Sequence, residues 1–285
     1  MFDLRFVNKE NNELRLGHLK SDYVIKSLSG ADGVEVDLAT SQGFEQIGES
    51  LDAMSVGKRQ IGITGRIDNF KPSQLRALDF MFAPRTQLRM FFEDKYWIDA
   101  AGKSAPGYSY EGCTVRFAIS LLAPYPYWKS VASSYYKLNG LIGGFNFPVS
   151  YDRPHNFALF NDSLFINCVN RGNTEVDYIA EIRCLSGSVT NVRLTNAENQ
   201  KFIRVKTTIT AEDTVRIFRE NNILRVTKTT RGIESDIFSL LDEDSDLDYM
   251  DTGDNVIRAD KEGGDGVPVV TVKFYDTVTG VYYGI

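Results

Sequence analysis

The sequence predicts a mainly β protein of two domains, the first of which also contains one helix. In both halves, apolar residues alternate with polar ones over short segments, a pattern typical of strands with one face on a core. One segment in the first half instead has the spacing of an amphipathic helix. The chain has 285 residues, 42% of them hydrophobic, which at about 150 residues per domain is enough for two cores.

Alternation alone predicts four strands in the first half. Their apolar positions are Val34, Val36 and Leu38; Ile61, Ile63 and Ile67; Leu88, Met90 and Phe92; and Val115, Phe117, Ile119 and Leu121. Since side chains two apart share one face of a strand, we expect each group to pack on the core of the domain. Residues 27–33 contain two glycines and are interpreted as a hairpin turn between strands.

The helix is predicted directly after Pro72. Leu75, Leu78 and Phe82 fall on one helical face, and Pro72 suits the first turn. Pro84 ends the helix because proline cannot continue it. We expect a single amphipathic helix among strands to cover one sheet face, so the first half is predicted to be α+β.

A short segment with two prolines marks the predicted domain boundary. Pro124 and Pro126 cannot both lie in a central strand, so the chain leaves the first domain there. The predicted domains are residues 1–128 and 129–285, with the junction between Pro124 and Asn139. Net charge shifts across this boundary, from about −1 in the first domain to about −5 in the second, counted from the sequence.

The second half is again strand-like and has no comparable helix pattern. Short alternating segments separated by Asn, Gly and Asp turns predict an antiparallel β-sandwich. The alternating positions are Tyr178, Ala180, Ile182 and Cys184; Ile203, Val205 and Thr207; Val215 and Ile217; and Val270, Val272 and Phe274.

The residue types that usually carry catalysis or bind metals are scarce. The three cysteines, Cys113, Cys168 and Cys184, form no C-x-x-C pair and are expected to be small buried hydrophobes. The only histidines are His18 and His155, too few for most catalytic dyads or imidazole metal sites. We therefore assign no catalytic, metal or cofactor site and predict that the protein is not an enzyme.

An acidic segment near the C-terminal end invites a calcium interpretation, which its spacing contradicts. Asp242, Asp244 and Asp246 match the first three ligands of an EF-hand, but Leu247 and Gly253 stand where the turn glycine and the bidentate glutamate belong. The segment has nine acidic residues and no Lys or Arg between Gly232 and Ile257. We expect a charged, exposed surface without basic neighbours.

The overall charge and hydropathy exclude several other classes. The net charge is −6, and the sequence contains no stripe of basic residues. Nucleic-acid binding through phosphate neutralisation is therefore not expected. No apolar run reaches the roughly 18 residues of a membrane span, and the charged N-terminus has no apolar signal core. A soluble protein without a membrane partner is predicted.

Residues 43–57 are predicted to form a long loop between two strands. The segment has three glycines and four large apolar side chains, and long loops in compact domains are commonly functional or mobile. It is interpreted either as an ordinary loop folded on its own domain or as a segment that orders against a neighbouring subunit. The candidate interface residues are Phe44, Ile47, Leu51 and Met54.

These features, taken in order, resemble a known family. Residues 22–43 are followed by the loop, then by GKRQIGITGRI, the helix PSQLRALDFMFAP and the exit strand SLLAPYPYW. The second half has FINCVNRGNTEVDYIAEIRC, FIRVKTTITAEDTVRI and FSLLDEDSDLDYMDTGDNVI. This succession resembles the siphophage distal tail proteins, often called Dit, over essentially the whole chain.

The resemblance implies a structural protein without catalysis. In that family, α+β N-terminal domains, a β-sandwich with one helix and a β-hairpin, form a hexameric ring. The ring joins the tail tube protein to the tail-tip or tail-associated lysin protein. The C-terminal domains are galectin-like β-sandwiches that hold receptor-binding or baseplate proteins. By resemblance, the chain is expected at the virion tail tip and, during assembly, in the host cytoplasm.

The alternative interpretation is a carbohydrate-binding adhesin that contacts the host surface through the β-sandwich. Exposed aromatic side chains would then serve as stacking platforms. Trp97 and Trp128 both lie in the first half, so the sandwich would depend on tyrosines such as Tyr135, Tyr136 or Tyr151.

Overall fold

The computed structural model describes residues 2–17, 21–138, 140–143, 158–161, 165–220, 222–247 and 249–281. Its contacts divide the chain into two compact units. The first unit is Met1–Ala132 together with Thr277–Ile285, and the second is Ser133–Asp276. The chain therefore crosses between the units twice. In the part that the structure describes, no helix is long and apolar enough to cross a membrane.

The first unit is a curled β-sheet with one helix. In chain order its elements are β1 Asp3–Asn8, β2 Glu13–Gly17, β3 Val24–Ser29, β4 Val36–Ser41, β5 Ser50–Val56, β6 Arg59–Asp68, α1 Pro72–Met81, β7 Gln87–Phe92, β8 Tyr96–Gly102, β9 Gly107–Glu111 and β10 Thr114–Ala123, followed by the start of β11 Trp128–Leu138. The strand order is β11-β8-β7-β1-β2-β3-β6-β10-β9, and β8 also pairs with β10. The sheet thus closes on itself.

The core of the first unit confirms three of the four strands predicted there. The apolar side chains of β6, β7 and β10 are buried in strict alternation. Phe6 on β1 packs edge-to-face on Phe82, with ring centroids 4.9 Å apart. Trp128, at the start of β11, is fully buried in the same core. Each strand follows from the period-two rule, because one face meets a continuous apolar interior.

The predicted helix is confirmed with its ends. The backbone N–H of Lys71 donates to the side-chain oxygen of Gln74 at 2.8 Å, half of a capping box, and Pro72 occupies the first turn. Leu78 and Phe82 are fully buried against the sheet. The apolar face of the helix thus packs on the core of the first unit, as its amphipathic pattern predicts.

Two predictions for residues 27–41 are wrong. Val36 and Leu38 lie on β4, but every residue of that strand is exposed, so it does not pack on the core. Residues 27–33 are not a hairpin turn, because β3 pairs with β6 whereas β4 pairs with β5. The chain leaves the closed sheet at Gly30, whose φ of +74° favours glycine.

The second unit is an antiparallel β-sandwich, as predicted. After the end of β11, its elements are β12 Gly140–Gly143, β13 Ala158–Asn161, β14 Phe165–Asn167, β15 Tyr178–Cys184, β16 Ser188–Asn196, β17 Phe202–Thr210, β18 Asp213–Glu220, β19 Ile223–Thr230, β20 Ile233–Asp236, a 3₁₀ turn at Phe238–Leu240, β21 Val256–Asp260 and β22 Pro268–Val278. One sheet has the order β20-β19-β18-β15-β22-β11 and the other β14-β21-β16-β17, with β12 and β13 as a separate pair. Their buried faces share one core. The finer, galectin-like description stays a prediction.

A buried asparagine fixes the loop between Tyr249 and β21. Asn255 is fully buried, and its Oδ1 accepts from Asn196 Nδ2 and from the Asp251 backbone N–H, both at 3.0 Å. Its Nδ2 donates to the carbonyl oxygens of Asp251 and Gly253, at 2.8 and 3.2 Å. One side chain therefore makes hydrogen bonds with four polar groups, and it supplies the acceptor for Asn196 Nδ2 and for the Asp251 N–H.

The prediction of an exposed acidic surface without basic neighbours is wrong in part. The side chain of Asp242 is only 4% exposed and forms a salt bridge with Arg204, and Lys206 Nζ lies 3.4 Å from its other oxygen. Asp246 accepts the backbone N–H of Phe202 at 2.8 Å. The reason is topological: β17 runs beside the acidic segment, so basic residues distant in sequence become its neighbours.

The cysteines divide into two classes. Cys168 and Cys184 are buried, as predicted, and burial raises the pKa of the Cys168 thiol to about 12. Cys113 is exposed, which contradicts the prediction. It follows Gly112 in the turn between β9 and β10, where a core position is unavailable. His18 and His155 lie outside the described residues.

Candidate assembly surface

Strands β4 and β5 form a two-stranded sheet that is separate from the other sheets of the first unit. We call residues 36–56 the exposed hairpin. Val36 pairs with Val56, Leu38 with Met54, and the register shifts after Ala39. Asp52 is the extra residue of this β-bulge, and Ser41 Oγ donates to its carboxylate at 3.0 Å.

One face of the exposed hairpin is apolar. Because directly opposed residues of an antiparallel pair share a face, the register puts five large apolar side chains together. Their exposed fractions are Val36 45%, Leu38 59%, Leu51 53%, Met54 67% and Val56 37%. The opposite face has small and acidic residues: Asp37, Ala39, Ser41, Asp52, Ala53 and Ser55. The hairpin is therefore amphipathic, and its apolar face is left open within the chain.

The turn of the hairpin is held by one glutamine. Gln46 Oε1 accepts the backbone N–H of Gly43 at 2.8 Å, and Gln46 Nε2 donates to Ser50 Oγ at 2.8 Å. Phe44 and Ile47 lie in the same turn and are essentially fully exposed, at 97% and 102%. A hydrogen-bonded turn thus presents two more apolar side chains to solvent.

The sequence found part of this surface. Residues 43–57 are not one long loop, because residues 50–56 form β5. The structure separates the four candidate interface residues: Leu51 and Met54 lie on the apolar face, whereas Phe44 and Ile47 lie in the turn. Sequence reasoning missed Val36, Leu38 and Val56. A signal was available, since residues 33–57 contain five acidic residues and no basic one, unusual beside so many apolar positions.

Two of the aromatic residues considered for sugar binding, Trp97 and Tyr136, make contacts with other side chains of the chain. The Arg89 guanidinium lies 3.8 Å from the centroid of the Trp97 ring. Tyr136 stacks on Phe274 at 5.7 Å, and its hydroxyl accepts the backbone N–H of Val169 at 3.1 Å. Tyr135 is 63% exposed, and Tyr151 lies outside the described residues. Among the members of this set that the structure describes, only Tyr135 is exposed.

Comparison with protein families defines the class of the second unit. Residues 171–276 match the family model for the siphovirus-type tail component, C-terminal domain. This stretch contains most of the sandwich strands, and the resemblance to the siphophage distal tail proteins is confirmed by it. No curated protein sequence matches the chain.

Solved structures extend the likeness to the whole fold. The fold is similar to that of the Dit protein (gp 19.1) of SPP1, described as a paradigm of the hub adsorption apparatus in phages that infect Gram-positive bacteria. The identity is 11% and the TM-score 0.66, over 97% of this chain and 99% of that one. A chain of the phage P2 baseplate in its activated conformation with Ca has 14% identity and a TM-score of 0.48, over 95% and 97%.

Proposed function

We propose that this protein is a structural hub of a long, non-contractile phage or prophage tail, and that copies of it form a hexameric ring at the tail tip. The ring joins the tail tube protein to the tail-tip or tail-associated lysin protein, and the second unit carries receptor-binding or baseplate proteins. The tail-component match and the full-length likeness to a hub protein support this proposal.

The single observation that favours assembly is the open apolar face of the exposed hairpin. An isolated two-stranded hairpin is marginally stable in water at best. Covering its side chains stabilises it, since full burial of one large aliphatic side chain contributes about 1.5–3 kcal/mol. A closed ring needs head-to-tail contacts between two different surfaces of each copy. The hairpin supplies one of these surfaces.

Imaging of tails tests the location. Cys113 is an exposed thiol, whereas Cys168 and Cys184 are buried, so a maleimide–gold probe has one accessible target among them. Tails assembled with the labelled protein should carry gold at the tip, in a ring with a central hole. Gold along the tube or on the capsid would refute the proposed function.

A pair of matched double variants tests the contact. Leu38→Ser with Met54→Ser changes a directly opposed pair on the apolar face, whereas Ala39→Ser with Ala53→Ser changes the adjacent pair on the opposite face. We expect the first variant to remain a folded protomer but to be lost from assembled tails. The second variant should enter tails as the unmodified protein does. Equal incorporation of both variants would show that the apolar face is not the contact.

A further inference from the structure

Arg59 is the charged residue at the base of the exposed hairpin. It begins β6, three residues after β5 ends, yet it is only 4% exposed. Its Nη1 donates to the carbonyl oxygen of Gly30 at 2.8 Å and its Nε to that of Pro126 at 2.5 Å. Its Nη2 donates to the carbonyl oxygen of Thr279. The guanidinium is thus held by three backbone carbonyls.

Each of these carbonyls belongs to a different connection. Gly30 lies where the chain leaves β3 towards the hairpin, and Arg59 lies where the chain re-enters the closed sheet at the start of β6. Pro126 lies on the segment that leads towards residues 133–276, and Thr279 on the segment that returns from them. One side chain therefore joins both ends of the hairpin to the two crossings, the segments around Pro126 and Thr279 by which the chain leaves and re-enters the first unit. All of these contacts lie within the first unit.

Packing alone does not explain an arginine at this position. Burying a cation is costly unless it is paired, and within the described residues Arg59 forms no ion pair at 4 Å or less. Burial accordingly lowers the pKa of its guanidinium. A leucine or methionine would fill the volume without this cost, but neither could hold three carbonyl groups at fixed angles.

The returning segment makes a second, independent contact with the first end of the hairpin. The backbone N–H of Val281 donates to the Ala31 carbonyl oxygen at 3.0 Å, and both side chains are buried. A Cβ added to Gly280 would lie 1.2 Å from the Asp32 carbonyl oxygen, so only glycine fits. The returning segment therefore lies directly against the chain that enters the hairpin.

We infer that Arg59 is a positioning residue, which sets the angle at which the exposed hairpin leaves the first unit and makes that angle depend on both crossings. Residues 277–281 contribute the second set of contacts that fixes this angle. A change in either crossing is expected to move the hairpin. Only the consequence for ring assembly rests on the proposed function, because the angle itself is a property of one protomer.

A distance measurement on the isolated protomer tests the inference. Nitroxide labels are attached to Cys113 and to Ser55→Cys, an exposed position near the base of the hairpin, and pulsed electron paramagnetic resonance gives the distance distribution. We expect one narrow distribution in the otherwise unmodified protein. Arg59→Met should broaden the distance distribution at least twofold. Arg59→Lys should give a width between those of the unmodified protein and Arg59→Met. Gly280→Ala, which leaves Arg59 in place, should shift or broaden the distribution.

The matched control is Arg116→Met, which removes an exposed arginine of the first unit that pairs with Glu111 at 2.7 Å and should leave the distribution unchanged. An unchanged distribution in Arg59→Met would overturn the inference. If that variant does not fold, unchanged distributions in Arg59→Lys and Gly280→Ala overturn it instead. A broadened distribution with normal incorporation into tails would uphold the inference and show that ring assembly does not depend on the angle of the hairpin.

Discussion

Single buried polar residues hold several segments of the second unit together, and Asn255 is one that makes hydrogen bonds with four polar groups. Replacing Asn255 with Ala removes the acceptor of Asn196 Nδ2 and of the Asp251 N–H and leaves both inside the sandwich. Each unpaired buried group costs about 1–3 kcal/mol. We expect a loss of about 3 kcal/mol in the free energy of unfolding of this unit. Thermal denaturation followed by circular dichroism measures it.

The control for that variant is Glu198→Ala, an exposed position on the loop after β16. It should change the melting temperature by less than a degree or two. A similar melting temperature for Asn255→Ala and Glu198→Ala would mean that water replaces the lost partners.

Asp213 is expected to make the stability of the second unit depend on pH in the acid range. Burial raises the pKa of its carboxyl group, but hydrogen bonds from Thr230, Thr210 and Lys228 lower it by more, so the pKa lies below its ordinary value. A carboxylate with a lowered folded pKa stabilises the fold above the unfolded pKa, near 3.9. That contribution is lost as the pH falls through the folded pKa.

We therefore expect Asp213→Asn to be less stable than the unmodified protein at pH 7. The difference should shrink as the pH falls below about 4. Denaturant titrations at a series of pH values give this comparison. A stability difference that stays constant down to the acid limit would show that Asp213 acts through packing and not through its charge.

Among the elements, the exposed hairpin is a two-stranded sheet with an exposed apolar face, so its stability is expected to depend on its surroundings. Within the described residues its strands pair only with each other, so its amides are expected to exchange with solvent much faster than those of β6 in the isolated protomer. In assembled tails, burial of the apolar face should slow exchange across residues 36–56 at least tenfold. Hydrogen–deuterium exchange with mass spectrometry compares the two states, and equal protection in both would contradict the prediction.

The elements that the sequence predicts are those whose apolar faces meet the core of their own unit. Alternation finds β6 and β10 because their neighbours belong to the same domain, and the spacing of Leu75, Leu78 and Phe82 finds α1. The same alternation in Val34, Val36 and Leu38 predicts one apolar face, and the structure leaves that face of β4 exposed. The pattern does not show whether the same chain or another one covers that face, because the alternation of apolar residues is the same in both cases.

Contacts between distant segments escape the sequence for a related reason. Arg204 and Asp242 are 38 residues apart, and only the course of β17 brings them together. Likewise, the three carbonyls that hold Arg59 come from parts of the chain up to 220 residues away. Local pattern identifies strands, whereas such pairings follow from topology.

At the scale of the whole molecule, the first unit is discontinuous in sequence. Val281 is buried in its core, and the Thr279 carbonyl accepts from Arg59. A fragment of residues 1–132 lacks both groups. We expect the same fragment, joined by a short Gly-Ser linker to residues 277–285, to melt several degrees higher.

Val281→Ser in the joined fragment is the control for that comparison. It should remove most of the gain in melting temperature, because a hydroxyl group would then be buried in an apolar core. If residues 1–132 alone melted at the same temperature as the joined fragment, the returning segment would be dispensable for the first unit.

The bulge at Asp52 bears on how the exposed hairpin avoids pairing with other copies of itself. A flat hairpin with an apolar face and two free edges is a template on which further strands can stack, and such stacking ends in fibrils. A bulge twists the strand and interrupts the row of backbone donors and acceptors. Here it also places a carboxylate beside that interruption. The exposed hairpin can therefore present its apolar face to another surface while its edges resist the open-ended stacking of further copies.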